Sequence, residues 1–147
     1  MRFSVFACLV ALWFTASGFD THSPKTLEGA WTSIESGGGA SGWVFEQKGA
    51  ALRVAEMKGT DKLAEFECGT DGRECEFKDA GKKANVSMWF NGPKLVQLIT
   101  QGSQVVKRRF TISADGNELE VEVMPVAPAG KTETSRYKRA DLAAQNK

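Results

Sequence analysis

Three tight turns punctuate the stretch Ala84–Val123, and together they fix which residues of four consecutive strands face one another. Asn91-Gly92 favours a two-residue hairpin because both positions accept positive φ. With Phe90 and Pro93 flanking it, Met88 is predicted opposite Leu95, Val86 opposite Gln97 and Ala84 opposite Ile99. A turn at Gly102-Ser103 sets Ile99 against Val106, Gln97 against Arg108 and Leu95 against Phe110. The third, Ala114-Asp115-Gly116-Asn117, sets Ile112 against Leu119, Phe110 against Val121 and Arg108 against Val123.

Strand side chains alternate between faces. One face then reads Ala84, Val86, Met88, Phe90, Leu95, Ile99, Val106, Phe110, Ile112, Leu119, Val121 and Val123, interrupted only by Gln97 and Arg108. The other face carries Asn85, Ser87, Lys94, Lys107, Arg109, Thr111, Glu118, Glu120 and Glu122, with Arg109 opposite Glu122. Trp89, Val96, Leu98 and Val105 also fall on that outer face, Trp89 opposite Lys94, and form a candidate surface for a protein partner. A one-residue slip would invert every assignment, so three turns that agree on one apolar face specify a sheet with one buried side.

The same arithmetic extends upstream. A turn at Ala80-Gly81 puts Phe77 opposite Ala84, and Phe66 and Cys68 then face Phe77 and Cys75 across the turn-rich Gly69–Glu74. Earlier strands are expected at Gly29–Glu35, Trp43–Lys48 and Leu52–Met57, with the Gly37–Gly42 loop between the first two, and a last strand at Thr132–Arg139. Short strands at regular spacing without a helical period predict an all-β, antiparallel up-and-down meander closing into a barrel of about 8–10 strands.

Met1-Arg2, the apolar run Phe3–Phe14 and Ala16-Ser17-Gly18 have the three parts of a secretory signal peptide, so residues 1–18 are expected to be a leader. The run is short of the roughly 20 residues a membrane span needs. The rest divides into an approach segment (19–26), one barrel domain (27–139) and a polar tail (140–147). Loss of the leader removes only Arg2 among the charges and leaves equal numbers of basic and acidic groups, which argues against nucleic acid as a partner. Cys8 goes with the leader. For an exported chain, periplasmic or secreted, the remaining Cys68 and Cys75 predict a disulfide, with a reactive thiol or metal pair as the alternative.

Gly29-Ala30-Trp31 matches the Gly-x-Trp that opens the first strand in lipocalins and related calycin barrels. Leu27–Trp31, the hairpin Phe110–Leu119 and the closing Thr132–Arg139 are similar to the fatty-acid-binding branch, and the closing hairpin also resembles those of exported bacterial proteins. The resemblance implies a barrel plugged by Trp31 at its closed end, with a small apolar ligand inside. In fatty-acid-binding proteins the closing strand carries Arg-x-Tyr, both members of which reach the ligand carboxylate. Here Arg136 and Tyr137 are adjacent, hence on opposite faces.

Arg108 is the leading candidate site residue. A buried guanidinium costs several kcal/mol unless paired, and no acidic residue lies on the mapped inner face of the meander. Arg108 and Gln97 are expected to orient an anionic head group, with Tyr137, Phe110 and Met88 around the ligand body. The structural alternative pairs Arg108 with a glutamate of an early strand, such as Glu35, Glu56 or Glu65, or lets it reach solvent at an open end. Trp31, Trp43 and Trp89 are either core plugs or stacking surfaces, and Gly29 belongs to the opening motif.

Glu118, Glu120 and Glu122 alternate as a solvated face opposite basic residues, with calcium binding as the sharper option. Asn85-Val86-Ser87 is a glycosylation sequon. The sole histidine, His22, precedes the barrel, so no histidine-based triad or zinc site is suggested, and no metal or cofactor is expected. The chain is expected to bind a small hydrophobic or amphipathic ligand rather than act as an enzyme. The competing class is an interaction or inhibitor module with a filled interior, acting through its outer face and loops. Met88, Phe90, Phe110, Phe66 and Phe77 are large enough to close a narrow barrel, so interior volume separates the two.

Overall fold

The computed structural model describes residues 27–35 and 41–140. The expected leader, the approach segment, His22, most of the Gly37–Gly42 loop and the tail after Ala140 lie outside the described residues. Ten strands follow in chain order: β1 (Gly29–Ser33), β2 (Ser41–Lys48), β3 (Ala51–Lys58), β4 (Asp61–Gly69), β5 (Asp71–Asp79), β6 (Lys82–Asn91), β7 (Lys94–Gln101), β8 (Gln104–Ile112), β9 (Glu118–Ala127) and β10 (Glu133–Arg139).

All ten form one antiparallel sheet in the order β4-β3-β2-β1-β10-β9-β8-β7-β6-β5. Each strand pairs with its sequence neighbour except β4 with β5, and β1 pairs with β10. The sheet is therefore a nearly closed up-and-down barrel with a single seam, between β4 and β5.

The arithmetic of the turns holds for three hairpins. Ile99 faces Val106, Gln97 faces Arg108 and Leu95 faces Phe110. Ile112 faces Leu119, Phe110 faces Val121 and Arg109 faces Glu122, and Phe77 faces Ala84. The β6–β7 hairpin differs. Its turn residues are Gly92-Pro93, because Asn91 pairs with Lys94, so Met88 faces Gln97 and Trp89 faces Val96 rather than Lys94. Gly92 takes φ 59 at the first central position, where a turn of the opposite-handed kind needs glycine, and proline follows at negative φ. The displacement is two residues, so the inner face keeps its members.

The lower half of the barrel is packed solid. Trp31, Phe45, Leu52, Val54, Met88, Leu95, Phe110, Leu119 and Val121 are all buried there. Phe110 meets Trp43 and Phe45 edge-on at 5.0 and 5.3 Å between ring centres, geometries that suit the aromatic quadrupole.

Trp31 closes this end. Its indole N–H donates to Leu27 O at 3.0 Å, and the Arg139 guanidinium lies 4.3 Å from its ring centre. Arg139 in turn donates from Nε to Gly116 O at 2.8 Å and from Nη1 to Glu28 O at 3.0 Å. One arginine thereby ties the first strand, the last strand and the β8–β9 turn together. Gly29, with φ 123, takes a conformation at the entry to β1 that side chains rarely adopt.

Candidate functional site

Along β3 the side chains of Leu52 and Val54 point into the core, and alternation carries Glu56 to the same face. Its neighbours across the ladder are Trp43 on β2 and Ala64 on β4. From the far wall, Arg108 on β8 reaches over and places Nη2 3.2 Å from Glu56 Oε2. Its guanidinium carbon lies 5.1 Å from the centre of the Trp43 ring. The inner face of β8 thus meets the inner face of β3 through an ion pair laid over an aromatic floor.

Above that pair, towards the tips of the β5–β6 and β7–β8 hairpins, the interior opens into a cavity of about 130 Å³. Phe66, Phe77, Ile99 and Val106 provide its apolar wall, and Glu56, Arg108, Asp79 and Gln101 its polar groups. Arg108 offers five N–H donors in a fixed fork. Its Nε–H is buried with no acceptor among the described residues, and so is the Gln101 side-chain amide nitrogen. Two buried donors on cavity-lining side chains suit a ligand that brings oxygen acceptors, because leaving such groups unpaired costs about 1–3 kcal/mol each. The cavity is amphipathic rather than uniformly oily.

Of the residues expected from the sequence to contact the ligand (Arg108, Gln97, Tyr137, Phe110 and Met88), Arg108 alone lines this cavity. Gln97, Met88, Phe110 and Tyr137 lie deeper in the buried core. Gln97 is directly across from Arg108, yet its Nε2 contacts Met88 Sδ at 3.5 Å, and its Oε1 is buried without a donor among the described residues. The structural alternative for Arg108 therefore names the right partner in Glu56, and the cavity lies beside the pair.

Glu56, Asp79 and Gln101 were not identified as cavity residues from the sequence. The alternation Leu52, Val54, Glu56 carries the signal for the first, and Cys75, Phe77, Asp79 for the second. Cys68 and Cys75 form a disulfide with Cα atoms 5.8 Å apart.

The outer apolar group is mostly covered. Val96 is only 2 % exposed, beneath its ladder neighbours Trp89 and Arg109, which are half-buried. Arg109 Nε lies 2.9 Å from Glu122. On the outer wall of β2–β4, Arg53 bridges Glu46 at 3.3 Å and Glu65 at 2.9 Å. A hydrogen bond from Lys48, with Arg53 behind it, lowers the Glu46 carboxyl below its usual range. Lys62 and then Arg53 do the same to Glu65. Among the described residues no group of three or more His, Cys, Asp or Glu is placed to hold a metal ion. Nor is any helix there long and apolar enough to cross a membrane.

No protein-family model and no curated protein matches the sequence. Solved structures do. The chain is similar to a fatty-acid-binding protein of Schistosoma mansoni in complex with arachidonic acid, with a TM-score of 0.67 at 15% identity over 81% of this chain and 99% of that one. Secretory abundant heat soluble protein 4 of Ramazzottius varieornatus gives 0.66 at 16% identity, over 80% and 96% of the two chains. Fatty-acid-binding protein 1 of Echinococcus granulosus gives 0.65 at 9% identity, over 80% and 99%. The nearly closed antiparallel barrel of this chain is the fold these proteins share.

Proposed function

We propose that this chain is an exported, non-enzymatic carrier of a small amphipathic anion, held in the upper cavity with its head group on Arg108. The observation that carries this is the Arg108 Nε–H. It is a charged donor, buried without an acceptor among the described residues, in the wall of a cavity otherwise lined by Phe66, Phe77, Ile99 and Val106. Glu56 accepts from Nη2 and steadies the guanidinium, which leaves the Nε–H for one oxygen of a carboxylate or a similar oxyanion. Gln101 supplies a second donor from the adjoining strand.

Size sets the ligand class. A dry cavity of roughly 150 Å³ holds one benzene-sized molecule, so about 130 Å³ suits a body of about six carbon atoms. Trp43, Phe45 and Phe110 fill the barrel below, and a long acyl chain would have to displace them. The solved barrels of this fold include fatty-acid-binding proteins, which supports a carrier role. The packed lower half argues for a shorter ligand here. The disulfide fits an oxidising compartment.

A mass spectrum of the exported protein under native and then denaturing conditions tests the proposal. An adduct of small mass in the first spectrum, lost in the second, is the expected result. A bare protein in both, together with no binding of short carboxylates added in excess, would overturn it.

A further inference from the structure

Three charged side chains line the cavity: Glu56, Asp79 and Arg108. Glu56 and Arg108 form an ion pair with each other. The Asp79 carboxylate has neither a hydrogen bond nor an ion pair among the described residues. Its ladder neighbour Lys82 is exposed and does not pair with it. The next lysine, Lys83, turns to the outer face and meets Glu76 at 3.3 Å. Asp79 itself is half-buried, and alternation from Cys75 and Phe77 carries it to the inner face. A carboxylate that faces an enclosed, half-apolar space without a cation is a charge left for a ligand to meet.

Counting along β4 and β5 locates that charge relative to Arg108. Cys68 is bonded to Cys75, Phe66 packs on Phe77 with ring centres 4.9 Å apart, and the next inward rung sets Ala64 beside Asp79. Ala64 is in turn the ladder partner of Glu56. Asp79 and Glu56 therefore flank one alanine, about 10 Å apart at two strand spacings, and the small side chain between them leaves the space open. From Arg108 towards the hairpin tips, β8 next presents Val106, paired with Ile99. From Asp79 inward, β5 next presents Phe77. Hydrocarbon thus lines the path from the guanidinium to the free carboxylate. A bare carboxylate ligand on Arg108 would place a third carboxylate around one guanidinium, and an ammonium at its other end offsets that repulsion.

We propose that the ligand is a zwitterion, with its carboxylate on Arg108 and an ammonium, at the far end of a short methylene chain, on Asp79. Asp79 is then the residue that sets specificity. This rests on the reading above that an oxyanion sits on Arg108, and it adds what the ligand carries at its other end. The amine belongs at the far end rather than beside the carboxylate, because Glu56, the acid next to Arg108, is already engaged by the guanidinium. The aromatic and branched side chains between the two charges hold the methylenes.

The test is calorimetric titration of three six-carbon probes, hexanoate, 6-aminohexanoate and 2-aminohexanoate, into the native protein and into Asp79→Asn. In the native protein 6-aminohexanoate is expected to bind about fivefold tighter than hexanoate or the 2-amino isomer, the worth of one half-exposed ion pair. Asp79→Asn keeps the shape and removes the charge. It is expected to erase that preference, while hexanoate binding stays within about twofold and circular dichroism is unchanged. Hexanoate binding at least as tightly as 6-aminohexanoate in the native protein would overturn the zwitterion and leave the Arg108 head-group reading standing. An equal gain for the 2-amino isomer, or a preference that persists in Asp79→Asn, would do the same. If no probe binds the native protein, the head-group reading fails and the zwitterion with it.

Discussion

Arg108 Nη2 and Glu56 Oε2 lie 3.2 Å apart although 52 residues separate them in the chain. Their side chains are 19% and 31% exposed, so the pair sits at the boundary between packed core and open cavity. At such a boundary an ion pair holds a guanidinium in place, yet water still reaches both partners and limits what the pair contributes to stability.

Replacement of the two partners separates their roles. Arg108→Leu is expected to abolish binding of short carboxylates and to lower stability by no more than about 1–2 kcal/mol, since Glu56 can hydrate when left alone. Glu56→Gln removes a negative charge next to the head-group site and keeps a hydrogen-bond acceptor. It is expected to tighten carboxylate binding by several-fold. Calorimetric titration of each variant and denaturant melts check both, and unchanged binding in Arg108→Leu would make the arginine purely structural.

Acid sensitivity follows from the outer face. The Ser113 hydroxyl and then the Asn117 N–H hold the Asp115 carboxyl below its usual range, as lysine and arginine do for Glu46 and Glu65. A carboxylate whose folded pKa is depressed stabilises the fold above its unfolded pKa, and that contribution disappears as pH falls through the folded value. The melting temperature is therefore expected to be flat near neutrality and to drop below about pH 4. Glu65→Gln should make the drop shallower. A melting temperature that rises on acidification, or a Glu65→Gln profile parallel to wild type, would contradict this.

Ala80 has φ 48 in the Ala80-Gly81 turn, a left-handed conformation that costs an alanine about 1–2 kcal/mol. Asparagine tolerates it and makes the dipeptide that such hairpins favour. Ala80→Asn is expected to stabilise the protein by about 0.5–1 kcal/mol with no change in ligand binding, measured by urea denaturation.

Arg139→Ala removes a cation from the face of the Trp31 ring and two donors to backbone carbonyls. A loss of about 2–3 kcal/mol is expected. Arg139→Lys should recover only part of it, because an ammonium cannot stack as a plane or fork to two carbonyls. Full recovery with lysine would reduce the contact to a point charge.

What the sequence could and could not reveal follows the same physics. Where a turn holds a single glycine at one preferred position, as in Gly102-Ser103, the pairing of two whole strands is legible. Asn91-Gly92 reads as the turn in the sequence, and the structure instead puts glycine first and proline second at Gly92-Pro93. Because that change is even, the inner face was legible even where the pairs were not. The partner of Arg108 was legible only as one of three glutamates, since nothing local says which early strand crosses the barrel opposite β8. The cavity was not legible at all. It depends on how far Trp43, Phe45 and Phe110 fill the interior, a volume that alternation does not report. Arg139 looked like one basic residue among several in Arg136–Arg139, and its place over Trp31 emerges only when β1 closes on β10.

The central claim is a short amphipathic anion seated on Arg108, and a chain-length series of straight carboxylates titrated calorimetrically into wild type and Arg108→Leu tests it most directly. The expected result is an affinity maximum near six carbons in wild type and no binding across the series in the variant. Affinity that climbs steadily to long acyl chains, or that survives in Arg108→Leu, would contradict it.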